Sequence, residues 1–242
     1  MSLTSNIAPI RVGIMQPYFL PHLSYFQLIA NTDIFCLHDK VKYTKQSWIN
    51  RNRIVINGRT DYITIPVRHR SDFDLVDEKE ISPVFKSTLM LKTIELNYKK
   101  SPNFENVFPL ITDILNYNSS NLFEFIENSI FIVSQYLDIK TKIIKSSNSG
   151  YDLKLNKSQM VLDICKKLKA DVYVNSEGGI ELYEPSYFLA NGILLRFSKQ
   201  IDFSYTNSFG QTDGSLSVLD ALMWVDKTLL IHKLSAIEFW DL

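Results

Sequence analysis

Apolar and polar positions along this chain switch between two periods, and the switches predict its elements. Arg11 to Met15 (RVGIM) is a short apolar run of strand type. A polar-aromatic turn, Gln16 to Pro21, follows it. His22 to Asn31 then spaces Leu23, Phe26, Gln27 and Ala30 as a helix does, and Asp33 to His38 (DIFCLH) returns to an apolar strand. Strand, helix and strand in so short a stretch predict a βαβ unit and a parallel sheet.

Farther along, Arg53 to Asn57 and Tyr62 to Val67 flank Gly58-Arg59-Thr60-Asp61 and predict a β-hairpin inserted in the chain, with Asn57-Gly58 at the bend and Pro66 near a strand end. Asp72 to Glu80 carries five acids and one lysine and reads as a solvated loop. The middle of the chain, near 82–138, is helical. Ser82-Pro83 would open a helix over Val84 to Tyr98, and Asn121 with Glu124 a second one to Leu137. Asn156 with Gln159 repeats that capping pattern ahead of a stripe of Met160, Val161, Ile164, Cys165 and Leu168, which reads as core. Thr141 to Ser146 and Asp171 to Asn175 read as strands flanking this helix, a second βαβ unit. Ile193 to Ser198 adds a strand, and Ser217 opens an apolar helix through Trp224. The fold class is α/β, a mainly parallel Rossmann-like sheet in one domain spanning 1–242.

Composition narrows the function classes. The 242 residues hold 26 Lys+Arg against 26 Asp+Glu, and this neutrality argues against a general DNA binder. No apolar run reaches the ~18 residues of a membrane helix. Arg11 interrupts the first apolar candidate, so export is not expected and the expected location is the cytoplasm. Cys36 and Cys165 lack metal-ligand spacing and read as buried reduced thiols, and His38, His69 and His232 form no ligand set, so no metal is expected.

Ligands of open parallel sheets bind beyond the carboxyl ends of the strands, where three stretches stand out. In the first, Gln16 to His22, two prolines stiffen a loop that would offer Gln16, Tyr18 and His22. The histidine would stand at a helix N-terminus, where an anion is favoured, as a phosphate donor or general acid, unless it merely caps its own loop. In the second, His38 to Arg70, eight bases face two acids, a local balance of +6 in a neutral protein. Tyr43, Trp48, Asn50 and Asn52 are interleaved with Lys45 and Arg51, a pattern suited to phosphate or carboxylate on a flat or sugar-like ligand; a solvated basic face is the plainer alternative. In the third, Ser176 and Gly178 follow a strand where backbone amides can approach a ligand, although a tight turn needs the same residues.

The runs VGIMQPYFLPHLSYFQLI, DIFCLHDKVKYTKQSWINRNRI, YITIPV and LSVLDALM together resemble the WbqC-like family, with its Q-P-x-x-x-P opening, its W-x-N-R-N-R-I segment and its late S-x-L-D motif. By position the motif covers Gln16, Pro17, Tyr18, Pro21, Tyr25 and Phe26, then Asp39, Tyr43, Lys45, Asn50 and Arg51, then Ser217 and Asp220. Lys40 stands where family members carry a second acid, and no glycine closes LSVLDALM. The resemblance implies an accessory enzyme of bacterial surface-polysaccharide (O-antigen, capsule, lipopolysaccharide) biosynthesis. The expected reaction is transfer of an acyl or aminoacyl group to a nucleotide-activated or lipid-linked amino sugar. His22 or Asp39 would move the proton, and Tyr18 and Trp48 would stack on the ligand. ATP or an activated acyl or aminoacyl donor is the candidate cofactor, and a homodimer is one possible assembly. A non-catalytic nucleotide-sugar or glycan-binding module is the alternative. Strand, Pro-rich loop and His-x-x-aromatic are also similar to the opening of nucleotidylyltransferase-like folds. His22-Leu23-Ser24-Tyr25 lacks their glycine and second histidine.

Overall fold

The computed structural model describes residues 8–71, 73–201, 203–212 and 215–241. Residues 1–7, at the start of the stretch read for export, and Asp72 of the acidic stretch lie outside them. Along the chain, β1 (Arg11–Met15) runs into α1 (Leu23–Ala30) and β2 (Ile34–Leu37). The hairpin of β3 (Arg51–Ile56) and β4 (Arg59–Thr64) leads to α2 (Ser87–Tyr98), α3 (Phe104–Leu115) and α4 (Leu122–Tyr136). The chain then re-enters the sheet as β5 (Lys142–Lys145), crosses through α5 (Lys157–Lys167) to β6 (Val172–Ser176), and passes α6 (Pro185–Leu189) to β7 (Leu194–Ser198). A small hairpin, β8 (Tyr205–Asn207) and β9 (Gly210–Thr212), precedes α7 (Val218–Trp224) and α8 (Lys227–Ser235).

The five parallel strands lie in the order β5-β2-β1-β6-β7. The chain leaves β1 toward β2 and leaves β6 toward β7, so β1 and β6 flank the topological switch point, where ligands of such sheets bind. Both faces are covered, which is why the strands read as nearly continuous apolar runs. Val12, Ile14, Cys36, Tyr173, Leu195 and Phe197 pack with Val161, Ile164, Cys165 and Phe188 of α5 and α6. Phe35, Leu37 and Val174 point the other way, into a larger core with Phe26, Ile111, Phe125 and Leu222. The two cysteines are buried and unbridged. Burial pushes the Cys36 thiol up to about 12, which keeps it protonated and inert.

Several expectations change on the structure. Thr141–Ser146 and Asp171–Asn175 do not form a local βαβ pair, because β5 and β6 are separated by β2 and β1. The hairpin bends at Asn57-Gly58, as expected, but its strands run closer to the bend than the two apolar runs suggest. Asn57 (φ 49°) and Gly58 (φ 77°) both take the left-handed conformation that such turns need, so pairing begins at Ile56 with Arg59. Ser82-Pro83 forms a turn, and α2 starts only at Ser87. The acidic stretch is not freely solvated: Lys79, only 2% exposed, pairs with Asp74, and Asp77 pairs with Lys40. At α4 the Asn121 side chain accepts from the Glu124 N–H, but the Glu124 carboxylate accepts from Ser119 instead of closing the box. The reciprocal box does form at α5, between Asn156 and Gln159. Among the described residues, no helix is long and apolar enough to cross a membrane.

Candidate functional site

Three distant segments knit together over one end of the sheet. The Phe19 N–H donates to the carbonyls of Trp48 and Ile49 at 3.2 and 3.1 Å. Leu20 sits in the left-handed region at φ 42°, a conformation that costs about 1–3 kcal/mol in a non-glycine residue. Two side chains hold it there: Asn52 Nδ2 and Ser217 Oγ both donate to the Leu20 carbonyl, at 2.7 and 2.8 Å. The Ser217 N–H donates to the Arg53 carbonyl and the Val218 N–H to that of Pro21. The Pro-rich loop, the Asn-Arg-Asn-Arg strand and the Ser217 cap therefore form a single unit.

Strand alternation divides that unit's polar residues by role. Asn50 and Asn52 point inward and are buried, their amides donating to the carbonyls of Ile65 and of Phe19 and Leu20. Tyr43 donates to Asn50 Oδ1 at 2.9 Å. Arg51 and Arg53 point the other way. The Arg51 guanidinium lies 4.3 Å from the Tyr62 ring centroid, and that of Arg53 lies 5.3 Å from Trp48. The two rings stand 6.2 Å apart and make an aromatic wall behind both cations. Arg51 donates to the Gln46 carbonyl and Arg53 to that of Ser215. Among the described residues, neither arginine forms an ion pair.

His22 completes the group. It occupies the N-cap position of α1, makes no capping bond with its side chain, and faces a first turn without an acid. Burial lowers its pKa, and the Arg53 charge lowers it further. His22 Nδ1, Arg51 Nε and Arg53 Nε are all buried without a hydrogen-bond partner. Buried polar nitrogens left open in this way are uncommon and destabilising.

The other sequence-predicted residues fall elsewhere. Gln16 is exposed; its carbonyl accepts from the Tyr25 hydroxyl at 2.8 Å, and its Oε1 stands 3.4 Å from the Tyr18 hydroxyl. Lys45 is exposed. Ser176 Oγ approaches Met15 Sδ at 3.9 Å across the switch point. The exposed Gly178 precedes Gly179, where a Cβ would lie 2.2 Å from Asn175 Nδ2. Glu177 there accepts from Gln200 N and Trp240 Nε1, so the C-terminal segment covers that end. Asp39, past the carboxyl end of β2, is buried and bound to Ser146 and Ser147. Asp220, fully buried, accepts from Tyr98, Tyr205 and Asn207 and ties α7 to α2 and β8.

The expected patch of eight bases does not assemble. Arg68 and Arg70 pair with Glu80, Lys40 pairs with Asp77, and Lys42 lies over Phe73. Arg53 and Tyr62 were not among the expected site residues. The signal for them was the Asn57-Gly58 turn, whose two-residue register sets Tyr62 opposite Arg53 and beside Arg51. A cleft of about 620 Å³ opens elsewhere, between α5 and the 180–187 segment, away from these residues. Among the described residues, no group of three His, Cys, Asp or Glu could hold a metal ion.

No solved structure matches the chain. A curated relative, the uncharacterized protein Rv1507c of Mycobacterium tuberculosis, is 26% identical over 215 residues, covering 88% of this chain and 92% of the relative. The WbqC-like protein family matches residues 16–230, a span that takes in the Pro-rich loop, both arginines and the Ser217 cap; the chain belongs to that family.

Proposed function

We propose that this WbqC-like protein is a transferase that adds an acyl or aminoacyl group to a nucleotide-activated or lipid-linked amino sugar in bacterial surface-polysaccharide assembly. The observation that carries this reading is the set of open, buried nitrogens on His22, Arg51 and Arg53 beside the Trp48–Tyr62 wall. A diphosphate supplies acceptors for all three, and a planar or sugar ring attached to it packs on the aromatic faces. Burial and Arg53 disfavour the protonated His22 ring; an arriving anion favours it, so the ring gains a proton that it can donate. Lys45 and Gln16, both exposed, and Tyr18 would meet the outer parts of the substrate. Two buried, unbridged thiols support work in a reducing compartment such as the cytoplasm.

The test is binding followed by turnover. UDP-N-acetylglucosamine should raise the melting temperature of the wild type by mass action and have little effect on Arg53→Ala. Acyl transfer to a UDP-linked amino sugar should fall in both His22→Ala and Arg53→Ala. Wild-type binding and turnover in both variants would discard the assignment. Stabilisation without any transfer favours a nucleotide-sugar-binding module. The strand order, with a histidine after the first strand, also keeps a nucleotidylyltransferase in view, and Mg²⁺-dependent release of pyrophosphate from a nucleoside triphosphate is its signature.

A further inference from the structure

The carboxyl end of β2 carries a second polar knot, next to the exit of β1. The His38 N–H donates to the Met15 carbonyl at 2.8 Å. His38 Nδ1 stands 2.8 Å from Ser146 Oγ, which donates to Asp39 Oδ1 at 2.8 Å; the Ser147 N–H donates to the same oxygen at 3.0 Å. Ser146 and Asp39 are buried, whereas the His38 ring is half-buried. A serine has one proton, and the Asp39 carboxylate claims it. Nδ1 must therefore carry the imidazole proton, which leaves the lone pair on Nε2. No hydrogen bond among the described residues engages Nε2. Tyr151 meets the ring edge-on at 5.9 Å, and its own hydroxyl is buried without a partner.

The electrostatics agree with that tautomer. Burial lowers the His38 pKa while the Asp39 charge raises it, so the ring is neutral at neutral pH. Burial opposes the Asp39 charge, but hydrogen bonds from Ser147 and Ser146 hold this carboxyl below its ordinary range. The other charges around the knot are the Lys40–Asp77 pair and Glu127, which is paired with Lys145.

We propose that His38 is the base that takes the acceptor's proton in the transfer reaction, with Ser146 and Asp39 as its positioning residues; this rests on the transfer reading above. The neutral amine nitrogen of the acceptor attacks the carbonyl carbon of the activated acyl donor and forms the C–N bond. The bond from that carbon to the leaving group breaks, and the leaving group takes its electron pair. The amine proton passes to His38 Nε2, which returns it to the leaving group or to water.

The full-length protein labelled with ¹⁵N-histidine tests the geometry directly, its His38 signals assigned by their loss in His38→Gln. The Nδ1–H tautomer is expected at pH 7.5, with that preference lost in Ser146→Ala; an Nε2–H or doubly protonated ring in the wild type overturns the proposal. Hydrolysis of p-nitrophenyl acetate, an activated acyl ester, reads the lone pair. The rate should fall about 10²-fold in His38→Gln, at the lower end of what general bases contribute. In Asp39→Asn the acid limb of the pH–rate profile should move to lower pH, because the lost charge no longer raises the His38 pKa; a fixed limb removes Asp39 from the positioning role. An undiminished rate in His38→Gln also overturns the base. The transfer reading fails separately, on UDP-N-acetylglucosamine binding that ignores Arg53→Ala.

Discussion

Two buried polar groups in this protein are built on opposite terms. Around Asp220 every hydrogen bond closes: Tyr98 donates at 2.6 Å and Tyr205 at 2.8 Å, while Tyr98 accepts in turn from the Val55 N–H. Around His22, Arg51 and Arg53, three buried nitrogens stay open. Both groups lose the same hydration, but only the first recovers it within the chain. Asp220 therefore acts as a structural tie, although it lies in a family motif. The open group keeps its binding capacity for something the chain does not contain.

The sharpest contrast is expected from deleting each centre. Asp220→Ala strands the hydroxyls of Tyr98 and Tyr205 and should lower unfolding free energy by about 3 kcal/mol or more, read by urea denaturation. Arg53→Ala should cost little folding stability, because its buried Nε is unsatisfied already. It should nevertheless weaken UDP-N-acetylglucosamine binding about 10–100-fold by calorimetry, the worth of a hydrogen bond to a charged group. A large loss of stability in Arg53→Ala, with affinity intact, would place both centres in the same structural class.

Protonation should separate the regions next. An anion beside His22 restores the proton that burial and Arg53 disfavour, so affinity for the sugar nucleotide should rise as pH falls, and His22→Gln should flatten that rise. The two buried carboxylates titrate in opposite senses. Asp39, held low by its serine bonds, contributes stability that is present above about pH 4 and lost as pH falls through its folded value. Asp220, held high by burial, contributes stability present below about pH 4 and lost as pH rises through its folded value. Stability curves of Asp39→Asn and Asp220→Asn should thus lose slopes of opposite sign. The smallest effect belongs to Lys40→Ala: its pair with Asp77 is partly solvated, and the loss should be about 1 kcal/mol or less, fading with salt.

Much of the sheet was legible because its signals are local. β1 begins and ends where its apolar run does, and Asn156 with Gln159 closes the box at α5 as written. The candidate site was legible only in part. His22, Trp48 and Arg51 were marked by loop chemistry and charge, as were Gln16 and Tyr18, which lie apart from them. Asn50 and Asn52 carried the same marks but are turned inward, since one residue along a strand reverses a side chain. The second apolar run was read as starting only at Tyr62, whereas β4 starts at Arg59 and sets Tyr62 mid-strand, opposite Arg53. Arg53 looked like one base among eight.

The chain's own periodicity determined which residues are strand and helix, because burial on one face repeats every two or about 3.6 residues whatever lies opposite. It could not determine which charges remain open. That depends on which distant segment arrives alongside: Glu80 reaches Arg68 and Arg70, Asp77 reaches Lys40, and among the described residues no carboxylate reaches Arg51 or Arg53. A charge is neutralised by whatever lies within a few ångströms in space, and only the folded chain decides what that is.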